Sequence, residues 1–105
     1  MSLGFGLYVR FTLRDDRAAA GFDALVAATA PKIASEEPGT LTYLVHTVEG
    51  EPLVRVFYEL YADRAAFEAH EEQPHVKHFL AERGQYLTDV QVSFLDATTG
   101  KLAGA

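Results

Sequence analysis

The 105-residue sequence contains no cysteine and no tryptophan. Without cysteine there is no disulfide framework, no thiolate nucleophile and no cysteine-based metal centre. No run of apolar residues is long enough to span a bilayer, and the N-terminus lacks the basic start and small-residue cleavage site of a signal peptide. These absences predict a soluble, cytoplasmic protein.

Basic residues are also scarce, since 9 Lys and Arg stand against 15 Asp and Glu, which gives a formal net charge of −6. The charge is spread along the chain and not grouped in a tail. This distribution argues against nucleic acid or an anionic membrane as the main partner. Length and a 49% apolar composition predict one domain over residues 1–105, with its core in residues 5–96 and a loose tail at 97–105.

Alternating and helical patterns divide the chain into strands and helices in the order strand, helix, strand, strand, two helices, strand. Asp15 or Asp16 and then Asp63 are suitable N-caps, Pro74 suits the first turn of a helix, and Gly84 suits a helix end. Pro31 is expected to kink the first helix or to restart it. The strands are predicted at Phe5–Leu13, Thr40–Val48, Leu53–Tyr61 and Tyr86–Leu95. This order predicts an α+β, ferredoxin-like fold, a four-stranded antiparallel sheet with helices on one face.

The two faces of the predicted sheet differ in polarity. The drier rows of strands one, three and four are expected to contact the helices, whereas the other face mixes aromatic and charged residues. A monomer rarely exposes such a face, so a second copy is expected to cover it and form a homodimeric α+β barrel. The cavity between the sheets would then bind a small molecule. The residues assigned to this mixed face are Tyr8, Arg10, Leu44, His46, Arg55, Phe57, Glu59, Tyr61, Gln91 and Leu95.

Three of the four histidines lie between Arg55 and Phe79. A neutral imidazole is a suitable base near neutral pH. His70 is the leading base candidate, although a histidine near a helix end can equally cap backbone carbonyls. The spacing of His70, His75 and His78 also invites a metal site. However, the segment from His70 to His75 is one residue longer than the His-Glu-x-x-His zinc pattern and contains a proline, so no metal is expected.

Four short segments follow one another along the chain: Glu37–Tyr43, Tyr58–Asp63, Ala66–His70 and Gln73–Phe79. In this order and spacing they resemble the antibiotic biosynthesis monooxygenase family, particularly its quinol monooxygenases. The resemblance implies a dimeric barrel that oxidises a phenolic or quinol-type aromatic with dioxygen and without a cofactor. The haem-degrading relatives use an Asn, a Trp and a His at positions where this chain has none of them.

Cofactor-free oxygenation needs a base for the phenolic hydroxyl, a pocket for a flat ring, and donors for the oxyanion. The catalytic candidates are His70, His46 and Arg10. Glu59 is expected to pair with Arg10 or Arg55 as a structural brace, with a general base as the alternative, and the aromatic residues could equally be dimer core. The predicted substrate-binding residues are Tyr8, Arg55, Phe57, Glu59, Tyr61, His75, Phe79 and Gln91.

Two other functions remain open on the same residues. One is an isomerase or processing enzyme for a small anionic metabolite, similar to the autoinducer-processing relatives, which Arg10 and Arg55 would favour if they converged with a histidine. The other is a non-catalytic dimeric module that binds a small ligand without turnover.

Overall fold

The computed structural model describes residues 2–103 and confirms the predicted order of elements. A four-stranded antiparallel sheet carries three α-helices, which is the α+β, ferredoxin-like fold. A 3₁₀ helix at Arg83–Tyr86 joins the last α-helix to the last strand. The other elements are β1 (Gly4–Leu13), α1 (Asp16–Glu36), β2 (Thr40–Val48), β3 (Glu51–Tyr61), α2 (Arg64–Glu72), α3 (Pro74–Glu82) and β4 (Leu87–Ala97).

Local sequence signals explain where most helices begin. The Asp15 carboxylate accepts a hydrogen bond from the Ala18 amide at the start of α1, and Asp63 caps α2 in the same way. Pro74 opens α3, where its missing N–H is not needed. At Pro31, α1 does not restart but continues as one helix, and the expected kink at this residue stays a prediction. Gly84 does not end α3, because the chain passes directly into the 3₁₀ helix.

The strand register corrects the predicted faces of β3. The sheet order is β2-β3-β1-β4, and Leu7 pairs with Glu59 while Val9 pairs with Phe57. Directly paired residues in an antiparallel sheet share a face. The row of β3 that faces the helices is therefore the mixed one, and not the drier row that was predicted. Its members are Arg55, Phe57, Glu59 and Tyr61.

The core lies between this corrected face and the helices. Phe11, Phe22 and Phe57 are almost completely buried, and their rings meet at centroid distances of 4.7 to 5.9 Å. Each such ring contributes a large area of buried apolar surface and a favourable edge-on or tilted contact. On β4, by contrast, the same face is largely exposed: Val92 is 47% and Phe94 is 61% exposed, although the Phe94 ring contacts Phe67 of α2. One side of the core is therefore open.

The C-terminal segment extends the sheet further than predicted. β4 continues to Ala97, whose carbonyl accepts a hydrogen bond from the Leu3 amide. Residues 98–103 form neither helix nor strand, and residues 104 and 105 of the predicted tail lie outside the described part of the chain. None of the helices in residues 2–103 has the length and apolar character needed to cross a membrane.

Candidate active site

A cavity of about 170 Å³ lies between the helix-facing side of the sheet and α2 and α3. Its walls are mainly aromatic and aliphatic, and its few polar groups are Thr29, Tyr43, Glu59, His70, Glu71 and Arg83. Leu80, Val92 and Phe94 are its most exposed apolar members, so the cavity opens between α3 and β4. The apolar wall residues are Leu7, Val9, Phe11, Ile33, Phe57, Phe67, Val76, Phe79, Leu80, Val92 and Phe94.

A buried carboxylate holds two histidines behind this cavity. His70 Nδ1 lies 2.6 Å from Glu37 Oε1, and His75 Nε2 lies 2.5 Å from Glu37 Oε2. The Thr40 hydroxyl donates to Glu37 Oε1 at 2.8 Å. Glu37 follows α1 directly, His70 lies in the last turn of α2, and His75 is the second residue of α3. The cluster therefore connects all three helices.

The hydrogen bond to Glu37 determines the tautomer of His70, and therefore which ring nitrogen can accept a proton. A carboxylate only accepts hydrogen bonds, so a neutral His70 must carry its proton on Nδ1. Its Nε2 then holds the free lone pair. His70 Nε2 forms no hydrogen bond. Every fully buried side-chain nitrogen or oxygen in residues 2–103 has a hydrogen-bond partner, so Nε2 is not fully buried. It is therefore accessible from the cavity that His70 lines.

Glu59 lies opposite His70 on the floor of the cavity. Its Oε1 is 3.9 Å from His70 Nε2, which is too far for a direct hydrogen bond. Burial raises the pKa of Glu59, and the Tyr61 hydroxyl, which donates to Oε1 at 2.5 Å, offsets part of this rise. A substrate hydroxyl placed about 2.8 Å from both groups would fill the gap between them.

Tyr43 and Arg83 complete the polar part of the lining. Burial raises the pKa of the Tyr43 hydroxyl well above its ordinary value, so it remains a neutral hydrogen-bond donor. Burial also lowers the pKa of Arg83, but a guanidinium stays charged in proteins. The Arg83 side chain lies over the Phe11 ring, 5.6 Å from its centroid, and forms no ion pair within residues 2–103.

The arrangement suits proton transfer better than metal binding. Within the described residues, no group of three or more His, Asp or Glu side chains is placed to hold a metal ion. In the Glu37 cluster the donor and acceptor atoms lie at hydrogen-bonding distances from one another. The side chains could therefore bind a flat ring, orient a hydroxyl and accept its proton at His70 Nε2.

The structure brings together only part of the predicted site. His70, Phe57, Glu59 and Phe79 line the cavity. Tyr61 and His75 lie one hydrogen bond behind it, through Glu59 and Glu37 respectively. These six residues therefore lie in or directly behind one cavity, which is under the helices and not on the opposite sheet face where the pocket was predicted.

The remaining predicted residues lie elsewhere. Tyr8, Arg10, His46 and Gln91 are on the sheet face away from the helices, where Arg10 pairs with Glu51 and His46 Nδ1 contacts the Val56 carbonyl. Arg55 is on the helix side but outside the cavity, because Asp23 of α1 binds it through two hydrogen bonds. The predicted pairing of Glu59 with Arg10 or Arg55 is therefore wrong.

Sequence reasoning missed Glu37, Tyr43 and Arg83. One signal pointed to Glu37: two consecutive acidic residues, Glu36 and Glu37, stand at the C-terminal end of α1, where the helix dipole disfavours negative charge. A carboxylate at this electrostatically unfavourable position indicates a role beyond the helix. Tyr43 and Arg83 had no comparable signal.

The comparisons with known proteins agree with this fold. The model of the antibiotic biosynthesis monooxygenase family matches residues 5–82, most of the chain. No curated protein matches the sequence. A solved structure from Caulobacter crescentus CB15, provisionally assigned to the antibiotic biosynthesis monooxygenases, has a TM-score of 0.84 and 25% identity, with 93% of this chain and 94% of that chain covered.

Two further solved structures are similar over nearly their whole length. PA3566 from Pseudomonas aeruginosa shares 26% identity with a TM-score of 0.78, covering 94% of this chain and 98% of that one. Rv0793 from Mycobacterium tuberculosis also shares 26% identity with a TM-score of 0.78, covering 95% and 98%. Because the family model spans far more than half of the sequence, the chain belongs to the antibiotic biosynthesis monooxygenase family.

Proposed function

We propose that this protein is a cofactor-independent monooxygenase that oxidises a small phenol or quinol-type aromatic with dioxygen. The observation that carries the proposal is the free Nε2 of His70, held by Glu37 at the edge of an aromatic cavity. Family membership supports a monooxygenase-like role in general. The choice of substrate and the residue roles rest on the cavity.

Reaction begins when the substrate hydroxyl gives its proton to His70 Nε2. The resulting phenolate reduces dioxygen far more readily than the neutral phenol. Glu37 assists because its carboxylate stabilises the positive charge that forms on the imidazole, and because it keeps the ring in the productive tautomer. His75 and Thr40 donate to the same carboxylate and hold it in place.

Oxygen transfer then needs no external reductant. One electron passes from the phenolate to dioxygen, and the two radicals couple to form a carbon–oxygen bond at a ring carbon. The His70 imidazolium returns its proton to the peroxide. The ring carbon then loses its hydrogen as a proton, a carbonyl forms and the O–O bond breaks. The hydroxide released takes up the proton and becomes water. In total, one phenol and one dioxygen give one quinone and one water.

The remaining lining residues bind the ring and its oxygens. Phe11, Phe57 and Phe79 offer aromatic surfaces, and their low exposure gives a dry site in which charge–dipole interactions are strong. Tyr43 and Arg83 are the available donors for an oxyanion. The paired side chains of Arg10 and Arg55 do not support the alternative of an anionic-metabolite isomerase.

We also propose a homodimer formed by the sheet face away from the helices. This face carries Tyr8, Leu44 and Leu95, which are 37%, 53% and 38% exposed, a patch that a monomer rarely leaves bare. Light scattering at micromolar concentration is expected to give twice the chain mass, and the Leu44→Lys variant is expected to shift it to one chain mass. A wild-type monomer under these conditions would remove this part of the proposal.

The monooxygenase proposal is tested by oxygen uptake with a panel of phenols and reduced quinones, comparing wild type with His70→Gln. Loss of the base is expected to lower the rate by about 10²- to 10⁴-fold. His78→Gln is the matched control, because His78 is an exposed histidine on α3 outside the cavity. It is expected to retain the wild-type rate.

Two results would contradict the proposal. Full oxygen uptake by His70→Gln would remove His70 as the base. Tight binding of phenols without oxygen uptake by the wild-type protein would favour the non-catalytic binding module.

Water formation equal to the dioxygen consumed, with no peroxide released, is expected if the O–O bond is broken in the site.

A further inference from the structure

The size of the cavity limits which aromatic ring it can hold. Its volume of about 170 Å³ is close to that of a 150 Å³ apolar cavity, which accepts one benzene molecule. Phe11 and Phe57 in the walls are 1% exposed and packed against each other, so the walls have little room to yield. The reacting part of the substrate is therefore a single ring.

The charge at the cavity mouth adds a second constraint. Arg83 follows α3 directly, on the side where the cavity opens, and it is half-buried. Within residues 2–103 it has no ion pair and no side-chain hydrogen bond, whereas Arg10 and Arg55 each bind a carboxylate. A partly desolvated cation without a partner is unfavourable, and an anion placed beside it would relieve that cost.

The acidic groups near Arg83 do not already supply this anion. Glu59 and Glu71 interact with it through space, but neither comes within 4.0 Å of its nitrogens. Glu71 is exposed, so water and salt weaken its effect. Burial favours the neutral form of Glu59, which reduces its repulsion of an anionic ligand.

We propose that the substrate is a monocyclic phenol with a carboxylate on the ring or on a short side chain. The ring enters the cavity, its hydroxyl reaches His70 Nε2, and its carboxylate binds Arg83 at the mouth. This inference rests on the proposed function for the role of the hydroxyl, but its size and charge constraints come from the cavity alone.

The test measures binding without dioxygen, by calorimetry under anaerobic conditions. The probes are 4-hydroxybenzoate, its neutral methyl ester, and a tricyclic anthrone. We expect 4-hydroxybenzoate to bind tightest. Arg83→Met, which keeps the chain length but removes the charge, is expected to weaken 4-hydroxybenzoate binding about 10- to 100-fold and ester binding less than threefold.

Two further variants separate charge from shape. Arg83→Lys restores the charge without the planar guanidinium and is expected to recover part of the affinity. Arg17→Met, an exposed arginine of α1 outside the cavity, is the matched control and is expected to bind all probes as the wild type does. Circular dichroism of each variant checks that the fold is retained.

The inference is overturned if Arg83→Met weakens both monocyclic probes equally, or if the anthrone binds as tightly as 4-hydroxybenzoate. Its outcome is separable from that of the proposed function. Charge-selective binding without oxygen uptake would sustain this inference and remove the monooxygenase. Oxygen uptake with neutral polycyclic substrates, unchanged in Arg83→Met, would support the monooxygenase proposal and overturn this inference.

Discussion

Replacing Glu37 with Ala or with Gln gives two different and calculable results. In Glu37→Ala, the His70 and His75 imidazoles lose their acceptor, and both are buried, at 6% and 9% exposure. An orphaned buried donor costs about 1–3 kcal/mol, so the free energy of unfolding should fall by about 2–6 kcal/mol. Loss of the Thr40 hydrogen bond contributes little to this decrease, because Thr40 is only partly buried and its hydroxyl can bind water instead.

Glu37→Gln should be much milder, because the bonding pattern allows the amide only one good orientation. Both His70 and Thr40 donate to Oε1, so the amide oxygen satisfies two donors if it stays on that side. The amide nitrogen then faces His75, which accepts at Nε2 and carries its proton on Nδ1. The unfolding free energy should fall by about 1–2 kcal/mol, since the hydrogen bonds persist but lose their charge assistance.

The same orientation predicts the effect on catalysis. His70 keeps its proton on Nδ1 and its base at Nε2, but the neutral amide no longer stabilises the imidazolium. A loss of about 1–2 kcal/mol corresponds to a rate about 5- to 30-fold lower. The measurements are urea unfolding, nitrogen NMR of the His70 tautomer, and oxygen uptake. The reasoning fails if Glu37→Ala costs less than about 1 kcal/mol, or if both variants lose the same stability.

Three smaller predictions concern Glu59, Tyr61 and the start of α2. Burial raises the pKa of Glu59 above its ordinary 4.5, so its contribution to stability is greatest below that pH and is lost as pH rises through the raised pKa. The free energy of unfolding of Glu59→Gln, measured in urea, should therefore increase relative to wild type as the pH rises. The total increase should be about 1.4 kcal/mol for each unit by which the folded-state pKa of Glu59 exceeds its ordinary value. A difference that does not change with pH would count against a raised pKa. Tyr61→Phe should raise the pKa of Glu59 further, visible in a carbon NMR titration, because the hydroxyl bond favours the ionised form. Asp63→Ala should cost about 1 kcal/mol in thermal unfolding, since the Ala66 amide loses its cap, and no change would mean that water replaces it.

Local signals carried most of the fold prediction. The caps at Asp15 and Asp63 and the opening proline at Pro74 act within one helical turn, and all three are confirmed. Alternation within β1 also identified its helix-facing row, from Phe5 to Leu13, because every second residue there is apolar. These features need no knowledge of distant residues.

The face of β3 could not be read locally, because both of its rows look partly apolar. Which row is buried depends on where Arg55 and Glu59 find partners. Arg55 binds Asp23, 32 residues away, and Glu59 accepts from Tyr61 on its own face. A buried charge with a partner is tolerated, but the sequence does not show the partner. Only the register of β3 against β1 shows that the mixed row, and not the drier one, is buried under the helices.

The same difficulty applies to the site. His70 was identified from its residue type and helix position, but Glu37 lies 33 residues from His70 and 38 from His75. Only the packing of three helices brings them together. Buried polar groups that break an apolar pattern are frequent at functional sites, and these are the residues that the pattern assigned to the wrong face or overlooked.

The cavity and the proposed dimer surface lie on opposite faces of the sheet. The mixed face was expected to form a pocket only when a second copy covered it, whereas residues of one chain already line a cavity on the helix side of the sheet. His70, Glu37 and Glu59 lie on the helix side, and Tyr8, Leu44 and Leu95 lie on the other. A variant that disrupts the proposed dimer through Leu44 removes no side chain from the cavity. Such a variant should therefore retain binding of a monocyclic phenol even if its stability falls, because the sheet residues Phe57 and Glu59 that line the cavity belong to the same chain as His70.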